Sequence, residues 1–160
     1  MVNSNLKLIW SLALSFSCVI LIAQETFEGY KSFASLKYPE KLVYEEIIHK
    51  PQVLPMIHMD EESFFEHLEE STVDLIDKKQ DKIKILMTVK RDGKITDCMA
   101  GSLNGSAIDT ISLKNFVDGI EPLQPAKQRE HYVNIQVFII MEFKKGKVVD
   151  YELHNLLLSE

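Results

Sequence analysis

The side chains that could do chemistry are few and poorly grouped. Five histidines, His49, His58, His67, His131 and His154, are scattered so that no two share the spacing of a zinc-ligating pair on one helix or hairpin. His67 follows Glu66 on a predicted helix, where both read as solvent-facing. Glu69 and Glu70 are neighbours in sequence and so point to different sides of a helix, which suits a solvated face better than a general acid and base acting on one substrate. GSLNGS, Gly101 to Ser106, holds two serines and two glycines but neither a nucleophile-elbow nor a phosphate-loop pattern, and reads as a turn. Cys98 has Asp97 before it and no sequence-local cation or histidine to lower its pKa, which argues against a catalytic thiol. These residues assign no catalytic group, no metal and no cofactor, so binding is the function left to look for.

Composition narrows the partner. With 160 residues, 46% hydrophobic and 26% charged, the chain is long enough for one domain around one core. Its formal net charge of -6 opposes nucleic-acid binding, which needs clustered Lys and Arg against phosphate. The short basic clusters at Lys78 and Lys79, Lys90 and Arg91, Lys127 to Arg129 and Lys144 to Lys147 read as solvated turns.

Residues 1–23, MVNSNLKLIWSLALSFSCVILIA, carry one charge, Lys7, then an uncharged run from Leu8 to Ala23. A positive start, an apolar middle and a small residue before Gln24 form the layout of a secretory signal peptide. The run is shorter than the ~18 to 20 residues of a comfortable bilayer span, so an uncleaved anchor is the alternative. Phe16 stands two residues before Cys18, where a lipoprotein acceptor wants a small residue. Cleavage after Ala23 leaves Cys98 without an intramolecular partner, and no disulfide framework then supports the fold.

Several elements must position whatever binds. Residues 24–58 show little periodicity and contain Pro39, Pro51 and Pro55, and read as an extended lead-in to a domain over 59–160. Asp60 is a suitable N-cap for an acidic amphipathic helix through Ile76, with Phe64, Phe65, Leu68, Leu75 and Ile76 on its apolar face. Ile83, Ile85, Met87 and Val89 alternate with polar or smaller neighbours as one strand, and a turn at Asp92 and Gly93 leads into a second strand over Ile95 to Met99. Ser106 suits the N-cap of a helix over Ala107 to Val117, with Ile108, Ile111, Leu113, Phe116 and Val117 apolar and Gly119 at its end. A proline-punctuated passage then enters a long strand. Val133, Ile135, Val137, Ile139, Met141 and Phe143 share one face of it, and KKGK turns it into a possible fourth strand over Val148 to Leu153.

Helix, strand, strand, helix, strand predicts an α+β fold, with two helices on one face of a mainly antiparallel sheet of three or four strands. A right-handed crossover between the second and third strands leaves room for the first between them, giving the order 2-1-3.

Over roughly residues 50–143 the chain resembles the C-terminal domain of TonB, the periplasmic energy transducer of Gram-negative bacteria. The resemblance is carried by the passage from Pro55 to Leu68, the hairpin VKRDGKITD, the helix from Ala107 to Val117, and LQPAKQREHYVNIQVFIIMEF. It implies a secreted periplasmic module that binds a protein or peptide, such as a segment of an outer-membrane transporter, by strand addition at the third strand. Tyr132, Asn134, Gln136 and Phe138 are the implied contacts. Residues 8–23 lack the histidine common in the family's membrane segment, the spacer is short, and a strand at Val148 to Leu153 would cover the edge the family uses. Two alternatives remain, a membrane-anchored TonB energy transducer and a structural protein that dimerises through its edge strands. N-terminal sequencing of protein recovered from cells separates secretion from anchoring: a chain starting at Gln24 is expected, and one retaining Leu8 to Ala23 contradicts cleavage.

Overall fold

The computed structural model describes residues 27–37 and 47–160, so the signal segment and Cys18 lie outside the described residues. In chain order the elements are β1 (Ser32–Lys37), β2 (Met56–Ile57), α1 (Glu61–Ser71), β3 (Gln80–Val89), β4 (Ile95–Ser102), α2 (Thr110–Ile120), β5 (Lys127–Gln128), β6 (His131–Tyr132), β7 (Ile135–Lys144), β8 (Lys147–His154) and β9 (Leu157–Leu158). The main sheet has five strands in the order β1-β4-β3-β7-β8, each antiparallel to its neighbours. The expected order appears as β4-β3-β7, and the KKGK turn does add β8 beside β7. The α+β class is as expected.

Alternation decides which face is core. Ile83, Ile85, Met87 and Val89 of β3, with Ile135, Val137, Ile139, Met141 and Phe143 of β7, are fully buried. Phe64 and Leu68 from α1, and Leu113, Phe116, Val117 and Ile120 from α2, close over the same face. α1 lies towards β8, where Phe64 meets Tyr151 edge-on at 5.2 Å between ring centres. No helix among the described residues is long and apolar enough to cross a membrane.

Both helices are displaced from their expected bounds, for local reasons. α1 starts at its Asp60 cap, whose side chain accepts from Ser63 N–H at 2.8 Å, but stops at Ser71. There the Ser71 and Thr72 hydroxyls donate to the carbonyls of His67 and Leu68, and such back-bonding competes with continuing the helix. Leu75 and Ile76 therefore lie beyond it. Leu75 is buried and Ile76 bridges to Ile108. α2 is capped by Asp109, which accepts from Ser112 N–H at 2.7 Å, because Ser106 is engaged elsewhere. Its register shifts accordingly: Ile111 is 69% exposed and Ile120 is buried.

Residues 24–58 contribute more than a lead-in. β1 pairs with β4 from Ser32↔Ser102 to Lys37↔Asp97 and forms one margin of the sheet. β2 pairs in parallel with β9, and Met56 also bonds with Gln124, so the tail and the proline-rich passage are laced to the same segment. Its small and mixed side chains hide β1 from a period-two reading, since Phe33 faces out and is 54% exposed while Ala34 and Leu36 pack against the core.

His67 is half-buried rather than on the surface. Its ring stacks on Phe116 with centres 5.6 Å apart, and Nε2 lies 3.1 Å from the Phe116 carbonyl. Gly119 is inside α2, and a Cβ there would stand 2.1 Å from His67 Cε1. This glycine makes room between the helices instead of ending one. Gly119→Ala should therefore destabilise the protein despite an intrinsic helix gain of ~1 kcal/mol. In a His67→Ala background the same change should stabilise by about 1 kcal/mol; urea denaturation of the four proteins shows whether the sign reverses.

Candidate functional site

The densest cluster of reactive side-chain types among the described residues serves structure. Asp81, at the start of β3, is buried at 2% exposure and accepts five hydrogen bonds. They come from the hydroxyls of Ser102 and Ser106 and the backbone N–H groups of Lys82, Asn104 and Ser106. Burial opposes its charge, but the bonds from Ser102, Ser106, Asn104 and Lys82 outweigh it and hold the carboxyl at about 2. Both serines of GSLNGS are thus committed to one carboxylate, so the segment reads as a pinned loop. Burial, with Asp97 adding to it, pushes the Cys98 thiol up to about 12, which makes it inert. Among the described residues no three His, Cys, Asp or Glu side chains are placed to hold a metal ion.

The four residues implied as contacts are spread over different environments. Tyr132 lies in the small β5–β6 hairpin, 51% exposed, with Lys127 Nζ 4.9 Å from its ring centre. Asn134 is buried; its Oδ1 accepts from Arg91 N–H at 3.0 Å and its carbonyl from Ile48 N–H at 2.9 Å. Gln136 and Phe138 sit on the face of β7 away from the helices, opposite Thr88 and Leu86 of β3. Phe138 stacks on His154 at 4.1 Å between ring centres, and Lys84 Nζ is 4.2 Å from the Phe138 ring. Burial lowers the Lys84 pKa.

β7 is an interior strand over most of its length. β3 pairs with it from Ile135 to Lys144, and β8 pairs with its other side from Phe138 to Lys144. The edge implied by the resemblance is therefore occupied at Phe138 and beyond. The covering strand carries a new margin. Because the Asn134 carbonyl faces the β8 side, the two-residue alternation sends the backbone groups of Phe138, Ile140 and Glu142 the same way, towards His154, Glu152 and Asp150. Tyr151 and Leu153, between them, direct N–H and C=O away from the sheet. The Tyr151 N–H closes locally on the Asp150 carboxylate, donating to Oδ1 at 2.9 Å, and among the described residues no backbone group bonds to the outward groups of Tyr151 and Leu153.

Over this margin stands α1. An open groove of about 560 Å³ is lined by Glu61, Glu62, Phe65, Glu66 and Tyr151. Phe65 and Tyr151 make its apolar floor, with ring centres 6.3 Å apart. Compared with known proteins, the chain matches no family model, no curated protein and no solved structure.

The groove residues escaped sequence reasoning because α1 and β8 are far apart in the chain. One signal was present: Phe65 lies next to the buried Phe64 at the rim of the apolar face of α1 and remains half-exposed. For the Asp81 cluster, Asp81→Ala should cost about 3 kcal/mol in urea denaturation, since it strands several buried donors. A carboxyl lowered from 3.8 to about 2 contributes stability above pH 3.8 that is lost as pH falls through 2. The stability gap between wild type and variant should narrow by about 2 kcal/mol over that window, and a constant gap would count against this account.

Proposed function

We propose that this chain is a non-enzymatic, secreted periplasmic protein-binding module of the TonB C-terminal type. It takes an extended segment of a partner, such as an outer-membrane transporter, by strand addition. The site is the outer margin of β8 rather than that of β7. What carries the reading is the backbone of Tyr151 and Leu153, which faces outwards beside an open groove. An incoming strand would meet these N–H and C=O groups as a ladder and set alternate side chains into the groove.

Further support comes from the arrangement around β3. Two strands antiparallel to it, joined by a crossover through α2, stand in the order that the crossover predicts from the sequence, and such a layout suits a module of the proposed type. The extra strand β8 then explains why the binding margin lies one strand further out. The apolar floor gives the groove something besides main-chain bonds to offer, which an edge strand alone would lack.

Proline tests the mode directly, because at an edge position whose N–H faces outwards it spares the existing ladder. In an amide NMR titration, a peptide copying an extended segment of an outer-membrane transporter should shift Lys147 to His154 and the first turns of α1. Leu153→Pro should keep the fold by circular dichroism and weaken binding at least roughly tenfold. Unchanged affinity in that variant would exclude strand addition at β8.

A further inference from the structure

We infer that the segment received at β8 is cationic, with one apolar side chain seated between Phe65 and Tyr151 and lysine or arginine side chains flanking it on both faces. This rests on strand addition at β8, and adds to it the chemistry of the occupant.

A strand added alongside Tyr151 and Leu153 must alternate its side chains between the two faces of the sheet. On the helix side they enter the groove, where Phe65 and Tyr151 accept an apolar group and Glu61, Glu62 and Glu66 form an acidic wall. Burial, followed by the nearby charge of Glu61, raises the Tyr151 pKa, which places that carboxylate's field on the groove floor. Glu61 and Glu62 also suit the positive end of the α1 dipole, but Glu66, a turn further on, has no such role. On the opposite face the added strand would lie beside Asp150 and Glu152, both exposed. Glu152 has Lys82 at 3.8 Å and His154 at 3.4 Å, while Asp150 accepts from the Tyr151 N–H and no ion pair involves it among the described residues. The helix side of the margin is therefore acidic and the other face keeps the Asp150 charge, with Glu152 offset by Lys82, on a chain whose net charge is already -6.

The same charges disfavour a second copy as occupant. Antiparallel pairing of two β8 strands centred on Tyr151 would set Asp150 of one against Glu152 of the other, twice. Like charges directly opposite destabilise a sheet pair. A cationic strand meets complementary charge on both faces and gains encounter rate as well as specificity.

The test uses the protein beginning at Gln24, as the proposed secretion would leave it, and three short fluorescent peptides. One alternates lysine with valine and leucine; the others replace every lysine by threonine or by glutamate. Fluorescence anisotropy should show the lysine peptide binding at least roughly tenfold more tightly than the threonine peptide, and no binding of the glutamate peptide. The affinity should fall with added salt, and fall about tenfold in Glu62→Lys with Glu66→Lys, two exposed positions whose change leaves the core untouched. Equal binding of the lysine and threonine peptides, both lost in Leu153→Pro, would overturn the cationic preference and leave strand addition standing. Lysine-peptide binding that survives Leu153→Pro would overturn both, as would a concentration-dependent dimer, seen in sedimentation, that buries the margin and displaces the peptide.

Discussion

An open sheet ends in strands whose outward N–H and C=O groups lack ladder partners, and a short turn decides where that end falls here. Lys145 and Gly146, with φ of 56 and 79 degrees, form the two-residue loop that folds β8 back onto β7. Gly146 takes this conformation without side-chain strain, and nothing lies within 4 Å of where a Cβ would be. With β8 in place, β7 becomes interior from Phe138 onwards, and Ile139, Met141 and Phe143 are flanked by strands on both sides. Tyr151 then sits opposite Met141 and beneath Phe64, and α1 has a surface to lie on. The groove exists because the helix overhangs the last strand.

The parts of this arrangement legible in the sequence are those with strong local period. β3 and β7 are written in alternating apolar residues, β4 follows from the turn that leads into it, and the order of the three follows from one crossover. The turn at Asp92 and Gly93 is likewise local, with Gly93 at φ 84 degrees and Asp92 accepting from Lys94 N–H. What escaped depends on distant pairs. Ser106 looks like a helix cap until Asp81 claims it from 25 residues away, and Asp109 then caps α2. Gly119 looks like a helix stop until His67 fills the space beside it. β1 carries too few large side chains to announce itself and gains its place from pairing with β4. Of Tyr132, Asn134, Gln136 and Phe138, the residues implied as edge contacts, only Phe138 lies opposite β8.

The charge on the margin has two consequences that agree. Acidic side chains and the register shift opposite Glu142 and Phe143 are devices by which edge strands avoid pairing with copies of themselves. A margin protected in this way is not closed to every strand, because a segment of opposite charge escapes the repulsion. On the proposed reading, protection against self-association and selection of a partner come from the same residues, Asp150 and Glu152 beside Glu61, Glu62 and Glu66.

Hydrogen exchange on the free protein tests the bare margin most directly. The amides of Asp150, Glu152 and His154 face β7 and should exchange slowly, whereas that of Leu153 should exchange at nearly the rate of exposed backbone, and that of Tyr151, held only by the exposed Asp150 carboxylate, faster than its neighbours. Protection at Leu153 equal to that of its neighbours would mean that the margin is already covered, and the proposed docking strand would have nowhere to bind.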